Sequence, residues 1–499
     1  MADTKREIER KYESDESGLP DLTGIAGVAD VVDKGVAELD ATYYDTVDER
    51  LAAASITLRR RTGGSDAGWH LKFPVGPDVR DEIQAPLSDE LPPAFAGLVR
   101  SRVRDAELVP VVRLRSARDL RDLLNADRRL LAEVSVDAVH AERLTTGGGT
   151  AQWTEIEVEL ADGGDPEFLD KVDKRLRKAG VRPSKSASKL ARALEETAPT
   201  KREPGPVKAP ETAGDHVLAY VREQRDAIVG LDPAVRQDAE DSVHSMRVAT
   251  RRMRSTFKSY GRILDRTITD PIGDELKWLA GELGVDRDRE VLNERLMAAL
   301  DEVPETLVSG PVADRIGKWA GDRPGGASSR LIGVLDSRRY LDLLESLDAV
   351  LADPPLLKAA GKDPGKMLPK AVRKDFGKVS ALVEQALELE PGTDRDVAIH
   401  EARKKTKRTR YAAEAATPAL GKPAKDLAKT MKSLQTLLGE HQDSVMARLT
   451  LRELSALAHA AGESAFTYGL LYGREEQRAA TVEAELPDSW KKITGGPMV

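Results

Sequence analysis

The run Glu155-Ile156-Glu157-Val158-Glu159-Leu160 alternates an acid with an aliphatic residue through three repeats. Side chains on a strand point to opposite faces in turn, so this stretch offers three carboxylates on one surface and an apolar ribbon on the other. The same reading extends outward through the first 200 residues. Glu7, Glu9 and Lys11 share one face. Arg59 shares a face with Arg61, and His70 with Lys72, opposite Trp69, Leu71 and Phe73. Arg80 pairs with Glu82, and Arg113 with Arg115. Glu133, Ser135 and Asp137 alternate with Val134 and Val136. An ordinary half-buried sheet would show Thr, Ser and mixed signs on its wet face, because like charges on facing positions repel. Here acid-only and base-only strands are segregated. Several such strands closed into a barrel would have a charged interior, which is costly unless it holds an oppositely charged guest and a metal. A polyphosphate chain suits it: phosphate oxygens take Arg and Lys, while carboxylates hold Mg²⁺ or Mn²⁺.

The whole chain has 499 residues, 77 Lys plus Arg, 85 Asp plus Glu, 7 His, no Cys and a net charge of −8. At roughly 100–200 residues per domain it divides into two to four domains. No apolar run approaches the ~20 residues that span a bilayer. The opening MADTKREIERKYE lacks a signal peptide's apolar stretch, so a cytoplasmic protein is expected. The missing cysteines exclude disulfides, thiol catalysis and thiolate metal sites. The charge is uneven: residues 1–200 hold 30 basic and 38 acidic side chains, and residues 201–499 hold 47 of each. The division falls in TAPTKREPGPVKAPETAG, where Pro199, Pro204, Pro206 and Pro210 interrupt any regular element. Before it, short β-like runs are separated by turns. After it, stretches such as SRRYLDLLESLDAVLAD repeat apolar residues at helical spacing. The expectation is an α+β or all-β domain over residues 1–197, a Pro-rich linker over 198–213 and a nearly all-helical domain over 214–490.

Glu7-Ile8-Glu9-Arg10-Lys11 has the ExExK signature of the CYTH, or triphosphate tunnel metalloenzyme, superfamily. The later motifs follow in that family's order: YYDTVDERL, TLRRR, HLKF, RDEI, VVRLR, EIEVEL and PSKSASKL. Residues 3–195 resemble the family, which implies an eight-stranded antiparallel β-tunnel that hydrolyses or rearranges a triphosphate with a divalent metal. The resemblance makes Glu7, Glu9 and Lys11 catalytic. It gives Glu7, Glu9, Glu155, Glu157 and Glu159 to Mg²⁺ or Mn²⁺. Arg59, Arg61, Lys72, Arg113, Arg115 and Lys185 go to phosphate, with Lys189 fitting the same terminal Ser-Lys motif. Asp137 falls where the family often has a strand acid, although a surface role suits it equally, and Arg80 with Glu82 is expected to brace the tunnel wall. The implied chemistry is in-line attack by a metal-associated water on a terminal phosphoryl group, with fixed cations offsetting the charge. A Walker-type GxxxxGK[ST] is absent, so a P-loop NTPase is not indicated.

In the second half, HSMRVATRRMRSTFKSY from His244 matches HEARKKTKRTRYAAEA from His400. Each is followed, 38–39 residues after its His, by Leu-Gly: LGVDRDREV at Leu283 and LGEHQDSV at Leu438. A double match at one separation argues for a duplicated helical unit, expected as a pseudo-symmetric pair of bundles. At 100° per residue His244, Arg247, Arg251, Arg254 and Lys258 fall within an arc of about 80°. His400, Arg403, Lys404, Lys407, Arg410 and Tyr411 fall within about 120°. Neither stripe contains an acid, and Glu401 points elsewhere. A solvated helix face normally mixes signs. Residues 214–490 resemble the CHAD domain, a helical module often joined to CYTH. That resemblance implies inorganic polyphosphate bound along these two helices. Asp288, Asp443 and Glu275 read as packing or salt-bridge partners of the basic helices.

Two classes of function follow. One is an enzyme that hydrolyses inorganic triphosphate or short polyphosphate in the tunnel while the helical domain holds long-chain polyphosphate. The other is a non-catalytic protein that targets polyphosphate granules. Thiamine-triphosphatase or class IV adenylyl-cyclase-like chemistry is a third reading. No membrane and no specific nucleic acid is expected as a partner, since aromatics are 4% of the chain and base-stacking platforms are scarce.

Overall fold

The computed structural model describes residues 4–14, 18–198, 209–321 and 327–495. Its contacts divide into two units, Met1–Pro206 and Val207–Val499. Most of the expected linker, residues 199–208, lies outside the described residues.

The first unit runs β1 (Thr4–Glu13), β2 (Asp30–Asp45), α1 (Arg50–Ala53), β3 (Thr57–Thr62), β4 (Gly68–Gly76), β5 (Val79–Pro86) and α2 (Pro93–Val103). It continues with β6 (Val109–Leu124), β7 (Leu130–Arg143), β8 (Thr150–Leu160), α3 (Glu167–Lys178), β9 (Arg182–Pro183) and α4 (Lys189–Glu196). The strands lie in the order β5-β4-β3-β2-β6-β7-β8-β1, and a β1–β5 pairing closes them into an eight-stranded antiparallel ring. Closure falls within the ExExK motif: Thr4–Ile8 pair with β5, and Glu9–Glu13 pair with β8.

The apolar sides of the strands face outward. Tyr12, Val134, Ile156 and Val158 form a core with Phe168, Leu169, Val172 and Leu176 of α3. Leu58, Trp69, Leu71 and Ile83 pack on Phe95, Leu98 and Val99 of α2. The inward sides are charged over part of the ring. Elsewhere they are apolar, where Tyr43, Leu114, Val139, Ala141 and Trp153 pack on Leu190, Ala193 and Leu194 of α4. Thus α4 fills the ring interior with an amphipathic face, while its first residue, Lys189, lines the charged section. Ser188 caps α4 by accepting from Ala191 N–H, which fixes where Lys189 enters.

The second unit is helical: α5 (Ala213–Arg236), α6 (Ser242–Ser259), α7 (Arg266–Glu282), α8 (Val285–Asp301), α9 (Val312–Gly321) and α10 (Ala327–Leu335). Then come α11 (Arg338–Ala352), α12 (Pro364–Glu388), α13 (Thr393–Leu420), α14 (Lys422–Ala460) and α15 (Phe466–Thr494). The two matched segments are α6 and α13, which pack against each other. The Leu-Gly motifs differ in setting. Leu438-Gly439 lies inside the unbroken 39-residue α14, whereas Leu283-Gly284 marks the break between α7 and α8. No helix among the described residues is long and apolar enough to cross a membrane.

Candidate functional site

Strand alternation brings Glu7, Glu9 and Lys11 of β1 into one lumen with Arg59 and Arg61 of β3, Lys72 of β4, Arg80 and Glu82 of β5, Arg118 of β6, Glu157 and Glu159 of β8, and Lys189. With Asp66, seven basic and six acidic side chains line a cavity of about 80 Å³. So little free space means the lumen is filled by its own ion pairs. Lys72 Nζ lies 2.5 Å from Glu7 and 3.4 Å from Glu82. Lys11 lies 3.0 Å from Glu9 and also bonds Glu157. Arg118 donates to both carboxylate oxygens of Asp137, at 2.8 and 2.7 Å, and to Glu157 at 2.9 Å. Arg59 donates to the Tyr43 hydroxyl at 3.2 Å, and buried Arg61 pairs with Asp66.

Two acidic groupings offer hard oxygen donors. The first is Asp137, Glu155 and Glu157, all buried, with carboxylate oxygens close enough to share a metal ion. Lys189 Nζ contacts all three, at 2.8, 2.7 and 2.5 Å. The neighbouring Lys189, Lys11 and Arg118 charges hold Asp137 and Glu157 below the usual carboxylate range against their burial. The second comprises Glu7, Glu82 and Glu159. Burial pushes the Glu7 carboxyl up to about 7, Lys72 opposes that, and Glu82 and Glu159 add to it. A buried carboxyl crowded by two others is under-compensated, and oxygen donors of this kind suit Mg²⁺ or Mn²⁺. The donor chemistry of both groupings suits a divalent ion, and among the described residues of the ring the carboxylate oxygens close enough to share one are those of Asp137, Glu155 and Glu157.

Several expected residues fall elsewhere. Arg113 and Arg115 lie on the outer side of β6, against Asp40 at 2.6 and 3.7 Å, while Arg118 on the opposite parity enters the lumen. Lys185 is exposed and lines a neighbouring 630 Å³ cavity that shares Glu9, Lys11 and Arg80 with the lumen, so the buried terminal lysine is Lys189. Arg80 does not brace Glu82. It donates to the carbonyls of Ala187 and Ser55, while Glu82 lies 3.4 Å from Lys72 Nζ and 2.9 Å from His70 Nδ1. Asp137 is fully buried, not on the surface. In the sequence Arg118 shares parity with the uncharged Val112, Leu114 and Ser116, so no run of charge marked its face as the inward one.

In the helical unit Arg247 of α6 forms a two-armed pair with Asp288 of α8, at 2.6 and 2.7 Å. Its guanidinium lies on Gly284, where a Cβ would collide with it. Arg403 of α13 lies against Gly439 in the equivalent place, with ordinary van der Waals spacing. The recurring His-x-x-Arg and Leu-Gly motifs thus set an arginine against a glycine twice, in different helical settings and at different spacing. Arg247, Arg251, Arg403 and Lys407 converge electrostatically: burial, then Arg403 and Arg251, push the Lys407 ammonium down to about 7. Burial and Arg247 likewise lower Arg251.

The remaining members of the two stripes are dispersed. His244 is exposed, and His400 Nδ1 is 2.5 Å from Gln442 Oε1. Arg254 and Lys258 continue along α6 toward Asp274. Lys404 pairs with Glu401 at 2.6 Å, so that acid does reach the stripe. Arg410 pairs with Glu414. Tyr411 is buried beneath Arg252 and Arg410, backing the basic face instead of lying on it. Glu275 pairs with Arg339 of α11, away from α6 and α13.

A closed antiparallel ring with an acid-and-base lumen, followed by a helical unit with paired basic helices, is the architecture of a CYTH domain joined to a CHAD domain. The CYTH family model matches residues 5–194 and the CHAD family model residues 219–452. Two uncharacterized proteins, from two strains of Mycobacterium tuberculosis, are each 38% identical over 503 residues, covering 98% of this chain and 96% of theirs. The chain belongs to the CYTH–CHAD family, and its CYTH domain to the triphosphate tunnel metalloenzymes. Among solved structures, PptA from Streptomyces chartreusis is 21% identical, with 56% of this chain and 100% of that one covered and a TM-score of 0.48. The CHAD domain of the plant Ricinus communis is 23% identical, with 60% and 98% covered and a TM-score of 0.44.

Proposed function

We propose that the ring is a metal-dependent hydrolase of inorganic triphosphate or short polyphosphate, and that the helical unit holds long-chain polyphosphate. The observation that carries this reading is the lumen itself, where basic and acidic side chains converge from every wall and from α4. Glu7 and Glu159 of the second acidic grouping, with Glu9 opposite Glu159 across the β1–β8 pair, are the residues that would hold Mg²⁺ or Mn²⁺. Such an ion polarises phosphoryl oxygens and offsets their charge. Lys11, Arg59, Arg61, Lys72, Arg118 and Lys189 would bind and orient the phosphate chain. Because these bases are already paired with carboxylates, an incoming polyanion exchanges carboxylate partners for phosphate oxygens. That exchange favours a highly charged, compact substrate over a nucleoside. In the helical unit the Arg247, Arg251, Arg403 and Lys407 cluster supplies the polyphosphate contacts, since buried like charges that depress one another gain most from a polyanion.

A second reading, binding without turnover, draws support from Lys189. Its ammonium occupies the Asp137, Glu155 and Glu157 cluster and competes with a cation there. One assay separates the two. The full chain is given Mg²⁺ or Mn²⁺ with triphosphate, ATP, thiamine triphosphate or long polyphosphate, and release of phosphate or cyclic nucleotide is followed. Turnover of triphosphate first among these supports the hydrolase. Triphosphate left intact with every metal, while long polyphosphate still binds, refutes it.

A further inference from the structure

Away from the basic helices, three helices of the second unit bring Asp396 (α13), His441 (α14) and Glu483 (α15) to one point. His441 Nε2 lies 3.1 Å from Glu483 Oε1 and 3.3 Å from Asp396 Oδ1. The imidazole is wholly buried, and its Nδ1 has no hydrogen-bond partner among the described residues. It is therefore not a core histidine tied at both ends. All its polar contacts are at Nε2, where a single proton would face two carboxylate oxygens. The other oxygen of each carboxylate is held from behind. Arg448 donates to Asp396 Oδ2 at 3.3 Å, and Arg395 lies 3.3 Å from Glu483 Oε2. Asp396 also stands in the first turn of α13, where the helix dipole favours its ionised form.

We infer that Asp396, His441 and Glu483 form a transition-metal site, with Zn²⁺ the best-fitting ion. The inward atoms are one imidazole nitrogen and two carboxylate oxygens, a donor set that suits zinc. Metal–ligand bonds of about 2.0–2.1 Å in a tetrahedron put ligand atoms about 3.3 Å apart. The two edges from the imidazole nitrogen, 3.1 and 3.3 Å, are close to that value, and the two carboxylate oxygens lie within 4.8 Å of each other. The arginine hydrogen bond on Asp396 Oδ2 and the arginine ion pair on Glu483 Oε2 are the kind of outer support that fixes ligating carboxylates. A cavity of about 450 Å³ borders the two carboxylates, lined in part by Gly392, Arg395, Asp396, Arg448 and Glu483, and from it water or an anion would complete the coordination.

The test strips the full chain with a chelator and dialyses it against Zn²⁺ in the presence of excess Mg²⁺. The same is done for His441→Gln, for Glu483→Gln and for a Glu7→Gln, Glu9→Gln double variant. Circular dichroism checks that each is folded. One Zn²⁺ per chain is expected in the wild type and in the tunnel variant, with at least tenfold weaker retention in the two helical-unit variants. Co²⁺ in place of Zn²⁺ should give the visible absorption of a tetrahedral site, lost in Glu483→Gln. The inference is overturned if the wild type retains no Zn²⁺, or if retention follows Glu7 and Glu9 instead of His441 and Glu483. Because the double variant removes the tunnel acids, this outcome is independent of whether the ring hydrolyses triphosphate.

Discussion

Lys189 Nζ, on the helix that fills the ring, sits 2.8 Å from Asp137 Oδ2 of β7. Both residues are buried, and the same ammonium also serves Glu155 and Glu157. Removing one partner of a buried ion pair leaves uncompensated charge, at a cost of about 3–5 kcal/mol. Lys189→Met should therefore lower stability by about that amount in chemical denaturation at neutral pH. Acidification should narrow the gap between variant and wild type, because protonated carboxyls no longer need a cation. A variant as stable as the wild type would show that the three carboxylates are satisfied by something else.

Glu7 gives the lumen a defined pH dependence. Its folded value, about 7, lies above the ordinary 4.5. Between those values the folded chain holds a proton that the unfolded chain has released, so this group makes stability fall as pH rises through the window. Metal binding needs the carboxylate, so apparent Mg²⁺ affinity should rise with pH up to about 7 and then level. Calorimetric titration at several pH values checks this, and Glu7→Gln should flatten the profile.

Turnover, if the hydrolase reading holds, should collapse by two orders of magnitude or more in Glu7→Gln, Glu9→Gln without loss of fold. Retained activity measured by phosphate release would remove both residues from the metal site.

Arg118 and Arg113 make an internal control on the same strand. Arg118→Ala should raise the KM for triphosphate strongly and destabilise the fold, because Asp137 and Glu157 lose a partner. Arg113→Ala breaks a solvent-exposed pair with Asp40 that contributes little to stability, and should leave kinetics unchanged. Equal kinetic effects would contradict the assigned inward and outward faces.

Gly284 and Gly439 should respond oppositely to Ala. At Gly284 the added methyl displaces Arg247 and should weaken polyphosphate binding, as should the Arg247→Ala, Arg403→Ala double variant. At Gly439 the methyl meets ordinary contacts inside α14, so helix stability should rise by up to about 1 kcal/mol. Lys407, lowered to about 7 in the free protein, takes up a proton when a polyanion binds, so affinity should fall as pH rises above 7. Fluorescence anisotropy of labelled polyphosphate reads both effects.

The ring was largely legible because strand periodicity and charge coincide at Glu7, Glu9, Lys11, Arg59, Arg61, Lys72 and Glu155 to Glu159. The same rule failed on β6. There the inward side is apolar where α4 packs, at Leu114, and charged further on, at Arg118, so charge alone does not mark the lumen. Arg113 and Arg115 satisfied the charge rule from the wrong side. In the helical half, the basic stripes were readable from 3.6-residue spacing. Asp288 was not, because it arrives from another helix, whereas Glu414 lies on the same arc one turn beyond Arg410, the last basic residue counted.

Local chemistry along the chain determined the strand faces, the two-part architecture, the duplicated basic helices and the residue types able to handle phosphate and metal. These follow from repeat periods of two and 3.6, which are properties of the chain itself. Tertiary structure decided which of two lysines, Lys185 or Lys189, is buried in the lumen. It also decided which arginine of β6 points inward and that Asp396, His441 and Glu483 meet at all. Those choices depend on how helices and strands distant in sequence pack, and packing energy is not periodic along a chain.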